Sequence, residues 1–326
     1  MQRLFICIAA LVLTIGCLFP ACSPQTAPSQ PVPPPGGTTG VTAEPAAAPA
    51  FPITVTDSLG RKVTIEHLPQ RIVSLAPSNT EILFALGLDD KLSGVTDYCD
   101  YPEKAKLKPR VAGYLTPDIE KLVTIAPDLV LAELIHEKTV LPSLEKLGLT
   151  LIVLSASSVD EIINNITLVG QVTGSNVAAA QLTLKLSGRV KTITSKTALL
   201  PPGSRPRVMC VIWHDPIWTM GGKTYIDDLI TMAGGDNIFS ADFEKSRIVS
   251  PESIVSKNPQ VIIVTGMTNS ADATANSLKQ QEWMQATDAI KNNRVYTLSD
   301  SNLIQRPGPR IVDGLEEVAH LLGTLR

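Results

Sequence analysis

The first half of the chain alternates between short apolar runs and segments with apolar residues at helical spacing. The runs RIVSL, DLVLAE and TLIVLS have the length of buried strands, and helical segments lie between them. Strands that are apolar on both faces are typical of a parallel sheet covered by helices. The pattern predicts an α/β lobe over residues 52–157, opened by a β-hairpin around Ser58-Leu59-Gly60.

The first predicted helix, within SNTEILFALG, has recognisable end signals. Ser78 or Asn79 is expected to cap its N-terminus, and Gly87 is expected to end it. A much longer helical pattern follows at residues 158–200, without proline up to Ala198. We interpret this segment as a rigid backbone, formed by one long helix or by two stacked helices.

A second alternating set begins after PPGSRPR and predicts a second α/β lobe over residues 201–326. Its expected strands are RVMCVIW, QVIIVT and RVYTLS, and a final helix is expected from about Pro309. The overall prediction is an α/β protein with two mainly parallel sheets and a ligand cleft between the lobes. Ligands of open parallel sheets bind at the carboxyl ends of the strands.

One short pattern occurs in both halves, as DIEKLVTIAPDLVL and PESIVSKNPQVII. Each copy has a glutamate near a helix start, Glu120 or Glu252, and a proline seven residues later, Pro127 or Pro259. A carboxylate at that place suits the positive end of a helix, so simple electrostatic capping explains each glutamate alone. The matching positions favour a second interpretation, in which each lobe presents one carboxylate at an equivalent surface.

The N-terminus has the pattern of an export signal. Residues 1–21 contain one early arginine and an apolar run too short for a stable membrane span. Cys22 then follows a small residue, which predicts lipidation there, and Cys17 is the alternative site. An ordinary signal peptide with incidental cysteines is the remaining interpretation. Residues 22–51 are rich in proline and alanine and are expected to form a flexible tether.

Composition and motifs argue against several classes of function. The net charge of −3 gives no basic footprint for nucleic acid. Phosphate-binding glycine loops and nucleophile elbows are absent, so we predict that the protein is not an enzyme. The histidines lack metal-ligand spacing, and only His214, after a predicted strand, is a candidate ligand for a metal carried by a bound molecule. Cys99 and Cys210 are expected to be free thiols.

Aromatic residues are rare, at 4 %, but several lie after predicted strands or, in the case of Tyr114, just before the predicted Glu120 helix. These are Tyr98, Tyr101, Tyr114, Trp213 and Trp218. If the strand ends of both lobes face each other, the five side chains line one cleft and suit a large, partly flat ligand. Alternatively, each aromatic packs within its own loop. The polar segment 299–306 is expected either at the cleft rim or as a solvated loop before the last helix.

Several of these segments resemble the cobalamin-binding periplasmic proteins of ABC importers. RIVSLAPSNTEILFALGLDDKLSGVTDYCDYP, VAGYLTPDIEKLVTIAPDLVLA, DPIWTMGGKTYIDDLITMAGGDNIF, SPESIVSKNPQVIIVT and RPGPRI are similar to that family, over about residues 53–326. The wider group carries cobalamin, iron–siderophore complexes or haem. The resemblance implies two Rossmann-like lobes joined by a long helix, and a monomeric protein that delivers a corrinoid to a membrane permease.

The resemblance also implies roles for individual residues. Glu120 and Glu252 match the pair that docks onto the permease. The implied ligand contacts are Tyr98, Tyr114, Trp213, Trp218, Asn302, Leu303, Ile304, Gln305 and Arg306. The segment 302–305 departs from the family because it lacks aromatics, and Cys99 replaces a small polar residue.

These observations together predict a lipid-anchored extracytoplasmic protein that binds cobalamin or another corrinoid without bond chemistry. The alternative in the same class is an iron–siderophore or haem binder. Less expected are an anchored extracellular enzyme and an adhesive surface protein.

Overall fold

A computed structural model of the protein describes residues 50–111, 113–266 and 270–325. The expected signal segment, Cys22 and nearly all of the tether lie outside the described residues. The described residues form one compact unit. The strands are β1 (Ile53–Thr56), β2 (Lys62–Ile65), β3 (Ile72–Ser74), β4 (Leu92–Val95), β5 (Leu129–Glu133), β6 (Leu151–Leu154), β7 (Arg207–His214), β8 (Ile217–Met220), β9 (Asp236–Asn237), β10 (Ser246–Ile248), β11 (Val261–Val264) and β12 (Val295–Thr297). The helices are α1 (Pro77–Ala85), α2 (Ile119–Ile125), α3 (Leu141–Lys146), α4 (Val159–Val172), α5 (Asn176–Thr197), α6 (Tyr225–Met232), α7 (Pro251–Lys257), α8 (Ala271–Gln280), α9 (Asp288–Lys291), α10 (Asn302–Gln305) and α11 (Ile311–Leu322).

The first lobe contains the predicted parallel sheet. Its strand order is β4-β3-β5-β6, and every pairing is parallel. The hairpin β1-β2 is antiparallel, with Ile53 opposite Ile65. Strands β3 and β6 are fully buried, as continuous apolar runs require in a sheet covered on both faces.

Helix α1 begins two or three residues earlier than the expected caps imply. Its N-cap is Ala76, which has no capping side chain, and Pro77 occupies the first turn, so the expectation of a Ser78 or Asn79 cap is wrong. Proline suits this place because its fixed φ is helical and its missing N–H is one that the helix would leave unpaired. The helix ends before Gly87, which adopts a φ of +71°, as the sequence predicts.

The segment 158–200 is a pair of helices rather than one. Helix α4 ends at Val172, Gly174 turns the chain with a φ of +70°, and α5 continues for 22 residues. The two helices pack closely at Gly170, where an added Cβ would lie 2.3 Å from the Cβ of Ala179. The backbone of the molecule is therefore two stacked helices, one of the two arrangements that the sequence left open.

The second lobe extends its parallel strands with an antiparallel edge. The strand order is β10-β8-β7-β11-β12, with β9 paired to β7. Strand β8 is antiparallel to both of its neighbours, β7 and β10, and the other pairings are parallel. Strands β8 and β10 and helix α8 are not predicted from the sequence. The segment 282–292 forms a 3₁₀ turn followed by the short α9. The two are separated at Thr287, whose hydroxyl donates to the Met284 carbonyl.

The two lobes share a hydrophobic core. One buried cluster contains Ile72 and Leu83 from the first lobe, Ile162 from α4, and Ile226 and Ile263 from the second. Such continuity fixes the strand ends of the two sheets relative to the α4–α5 pair. Among the described helices, none combines the length and the apolar character needed to cross a membrane.

Candidate functional site

A cleft of about 500 Å³ lies where the carboxyl ends of strands from both lobes come together. The first lobe contributes Ser78 after β3, Tyr98 after β4 and Glu133 at the end of β5. The second lobe contributes Gly266 after β11 and Asn302 after β12. This position is the one that open parallel sheets favour for ligands.

The structure brings five of the predicted ligand contacts together in this cleft. Tyr98, Tyr114, Asn302, Gln305 and Arg306 all line it. The side chain of Tyr98 is 56 % exposed, which leaves its ring available to a bound molecule. The segment 299–306, expected as a rim loop or a capping loop, contains α10 and forms one wall of the cleft.

Four other predicted contacts lie outside the lining of this cleft. Leu303 and Ile304 are 9 % and 1 % exposed and belong to the core, because α10 packs its apolar side under α11. Trp213 and Trp218 are half-buried and lie opposite each other in the β7-β8 pairing. Ile248 of β10 lies opposite Trp218 on its other side. Residues paired in this way share one face of a sheet, so the two indoles form a single surface.

A second cavity, of about 560 Å³, adjoins the first along the end of β5. Consecutive residues line the two spaces, since Glu133 faces the first and Leu134 the second. The second cavity is also lined by Ser155 after β6 and by Met220 and Tyr225. The Tyr225 hydroxyl donates to the Gln305 carbonyl at 3.0 Å and thereby ties the two walls together.

A hydrogen-bonded network forms one side of the first cavity. Glu133 accepts hydrogen bonds from the hydroxyl groups of Ser78 and Tyr114, the second at 2.5 Å. His136, which is fully buried, accepts from the Glu133 N–H at Nδ1 at 3.0 Å. Because Nδ1 accepts, Nε2 carries the proton of the neutral ring and donates to the Tyr114 carbonyl at 2.6 Å. Apart from Tyr114, the members of this network carry no pattern in the sequence that would predict it.

Burial keeps Tyr114 and Tyr225 in their neutral form. It raises the pKa of Tyr114, and the charge and hydrogen bond of Glu133 raise it further. Burial also raises the pKa of Tyr225, again with a contribution from the Glu133 charge. Both phenols therefore act as hydrogen-bond donors at any physiological pH.

A cluster of ion pairs joins the two lobes beside the cleft. Glu81 is buried in α1 and pairs with Arg310 at 2.7 Å and with Arg306 at 3.3 Å. Arg306 also pairs with Asp100 at 2.6 Å, and Arg310 pairs with Asp300 at 2.6 Å. Sequence reasoning missed this cluster because its members are far apart in the chain; a glutamate among the apolar residues of α1 was the available signal.

Arg310 also contacts an aromatic ring and lowers the pKa of a neighbouring carboxylate. Its guanidinium stacks 3.8 Å from the ring centre of Tyr101, which explains that aromatic as part of the lobe contact. Burial alone would raise the pKa of Asp300, but hydrogen bonds from Arg310 and Asn302 and the Arg310 charge lower it. Asp300 therefore keeps its negative charge into mildly acidic conditions.

The repeated glutamates occupy equivalent, exposed positions in the two lobes. Glu120 and Glu252 each lie in the first turn of a seven-residue helix, α2 or α7. The Asp118 side chain caps the first helix and the Ser250 side chain caps the second. Capping explains the local chemistry of the turn, but the glutamates themselves extend into solvent.

The thiols and the remaining candidate histidine lie away from the cleft lining. Cys99 is fully buried beside Thr80 and Thr96, and burial raises the pKa of its thiol. Cys210 is buried in β7, where burial raises the pKa of its thiol to about 12. Both thiols are free, as predicted. His214 lies 3.2 Å from the Thr274 hydroxyl in a separate cavity. Within the described ranges, no group of three or more metal-binding side chains is assembled.

The chain belongs to the periplasmic binding protein family, whose model matches residues 72–301. It is similar to an uncharacterised ABC transporter substrate-binding lipoprotein, YvrC, of Bacillus subtilis, with 33 % identity over 82 % of this chain and 85 % of that protein. It is also similar to the vitamin B12-binding protein of Vibrio cholerae, with 32 % identity over 78 % of this chain and 89 % of that protein.

Solved structures agree with this assignment. The periplasmic vitamin B12-binding protein BtuF of Vibrio cholerae superposes with a TM-score of 0.68 at 29 % identity, covering 78 % of this chain and 97 % of that one. Haem-binding and siderophore-binding proteins superpose with TM-scores of 0.69 and 0.71 at 24 % and 21 % identity, which shows a shared fold alone. The protein is thus a solute-binding protein of the ABC-importer type, with two α/β lobes joined by a helical backbone.

Proposed function

We propose that the protein captures cobalamin or a related corrinoid outside the cytoplasmic membrane and delivers it to an ABC permease. The observation that carries the proposal is the pair of adjoining cavities between the lobes, about 500 and 560 Å³, which together suit a large ligand. The similarity to vitamin B12-binding proteins supports a corrinoid as that ligand.

Six of the nine predicted contacts have a role in this proposal. The exposed ring of Tyr98 and the paired indoles of Trp213 and Trp218 supply apolar faces. Tyr114, Asn302 and Gln305 supply hydrogen bonds to the polar edge of the ligand. Affinity then comes from aromatic burial with a few polar contacts that orient the ligand.

Delivery and anchoring complete the proposal. Glu120 and Glu252 dock onto basic residues of the permease, one from each lobe. Cys22 carries a lipid that holds the protein at the membrane, and the lipoprotein name of the Bacillus subtilis relative supports this. Replacing Cys22 by serine is expected to release the protein from membranes, whereas Cys17→Ser is expected to leave it attached.

Haem or a ferric siderophore is the second candidate ligand. The observation that favours it is Arg306, the cation among the described residues lining the first cavity, because haem and many siderophores carry carboxylates. That guanidinium is already paired with Glu81 and Asp100, which makes the corrinoid the better candidate.

Calorimetric titration of the purified protein tests the choice. Cyanocobalamin and cobinamide are expected to bind, with haemin and ferric hydroxamates as competing ligands. Quenching of tryptophan fluorescence is expected for the bound corrinoid, because Trp213 and Trp218 are proposed ligand contacts. Binding of haemin or a siderophore without any corrinoid would overturn the proposal in favour of the second candidate.

A further inference from the structure

The carboxylate of Glu133 is an unusual group to find at the end of a buried strand. The four residues before it in β5 are buried, and Glu133 is the first to reach the cleft. Its backbone is fixed, since its N–H donates to the buried His136. The side chain is therefore presented at a defined place in the cavity rather than on a mobile loop.

The surroundings of Glu133 leave part of its hydrogen-bonding capacity unused. An ionised carboxylate offers about four acceptor positions. The hydroxyl groups of Ser78 and Tyr114 occupy one position on each oxygen. No described lysine or arginine forms an ion pair with Glu133. The remaining acceptor positions belong to a carboxylate that lines the cavity and keeps its negative charge uncompensated.

The other charges of the cavity add to this effect. Asp97 and Asp100 line the same cavity, and Arg306 is the cation among the described lining residues. Arg306 is shared between Asp100 and the buried Glu81, so little of its charge is left for a ligand. A partly enclosed cavity with excess negative charge repels anions and attracts hydrogen-bond donors.

We propose that Glu133 sets the ligand specificity of the cleft, by accepting hydrogen bonds from carboxamide N–H groups of the ligand and repelling carboxylates at the same place. The inference rests on the proposed function, because corrinoids carry carboxamides around the ring whereas haem carries propionates. It adds a reason for that choice: the cavity distinguishes amides from acids through one carboxylate held by two hydroxyl groups.

Two ligands that share the corrin ring and the cobalt ion but differ in their side groups test this role. Dicyanocobinamide carries amides on the corrin ring, and dicyanocobyrinic acid carries carboxylates at the same positions. Calorimetry at pH 7 is expected to show that the wild-type protein binds the amide at least tenfold more tightly. Glu133→Gln is expected to narrow that ratio at least fivefold, mainly by improving the affinity for the acid.

A matched variant separates this role of Glu133 from the general effect of removing one negative charge from the protein. Glu317 also holds its carboxylate through a serine, with Ser299 donating from its N–H at 2.6 Å and from its hydroxyl at 2.7 Å, and it lies outside the cavity lining. Glu317→Gln is expected to leave the ratio unchanged. An equal change of the ratio in both variants would overturn the role of Glu133.

The wild-type protein supplies an independent measurement if Glu133→Gln fails to fold. Between pH 4 and pH 7 the carboxylates of the acid ligand become ionised, so the preference for the amide is expected to increase at least threefold. A constant ratio would overturn the inference. Equal binding of both ligands would refute the role of Glu133 alone, whereas no binding of any corrinoid would refute the proposed function.

Discussion

The repeated segments of the two lobes, residues 118–133 and 250–265, are alike at one end and different at the other. Both begin with a side-chain cap, Asp118 or Ser250, and both helices end on a left-handed residue. In both, the residue after the proline donates its N–H to the carbonyl of an arginine at the start of the neighbouring strand. Asp128 donates to Arg71, which directly precedes β3, and Gln260 donates to Arg207, the first residue of β7.

The strand ends differ at the cleft. Strand β5 finishes on Glu133 and its network of hydroxyl and imidazole groups. The equivalent residue after β11 is Thr265, which is buried and bonded to the Val211 carbonyl, and Gly266 follows at the cleft. The exposed ends of the two segments are therefore alike, whereas the ends at the cleft differ. This is the arrangement expected if the two exposed ends meet two equivalent parts of a permease and the cleft ends meet an asymmetric ligand.

The largest effect is expected from removing the duplicated carboxylates. Each single variant, Glu120→Ala or Glu252→Ala, is expected to reduce corrinoid uptake about tenfold, because an interfacial charge pair is worth about 1.5 kcal/mol or more. The double variant is expected to abolish uptake while ligand affinity stays unchanged, since both side chains are exposed outside the cleft. Uptake assays and calorimetry measure the two quantities. A tenfold loss of affinity would place these carboxylates in ligand binding instead.

Substitutions at the end of β5 in the first lobe should lower the free energy of unfolding far more than substitutions at the end of β11 in the second. His136→Ala removes a fully buried ring and leaves the Glu133 N–H and the Tyr114 carbonyl without a partner. The free energy of unfolding is expected to fall by about 3 kcal/mol. Thr265→Val removes one weak bond at 3.3 Å and is expected to cost about 1 kcal/mol or less. Urea unfolding measures both, and equal losses would contradict the comparison.

Much of this architecture was readable from the sequence, for a physical reason. The parallel strands, the repeated glutamates and the position of Tyr98 and Tyr114 in the cleft lining follow from local periodicity and from the rule that ligands bind at strand ends. The antiparallel edge β8-β10 was missed because short half-exposed strands carry a weak apolar signal.

Features that depend on distant contacts were not readable in this way. The pairing of Glu81 with Arg306 and Arg310 joins residues more than 200 positions apart. Leu303 and Ile304 were assigned to the ligand from the resemblance, yet the structure buries them. A four-residue helix gives too short a pattern to show which side chains face the core.

The two left-handed residues that end the repeated helices should respond to glycine in opposite directions. Ala126 has a φ of +48° and is exposed, so Ala126→Gly relieves a strained conformation and is expected to raise the free energy of unfolding by about 0.5–1 kcal/mol. Asn258 has a φ of +45° and its side chain accepts from the Asp288 N–H at 2.8 Å. Asn258→Gly is expected to lower the same quantity by about 1 kcal/mol. Urea unfolding of both variants would refute this contrast if the two shifts had the same sign.

The smallest expected effect concerns the ionisation of one exposed carboxylate. The pKa of Glu252 is lowered from its usual value by a hydrogen bond from its own backbone N–H and then by the Ser250 side chain. A lowered folded-state pKa means that the charged form persists as the pH falls and is lost only below the usual range for glutamate. Ser250→Ala is expected to raise the Glu252 pKa toward its ordinary value, and Asp118→Ala in the other lobe is expected to leave it unchanged. An NMR titration of the Glu252 carboxyl carbon measures the shift. Because Glu252 is fully exposed, the change should appear in the acid limit of docking rather than in the stability of the fold.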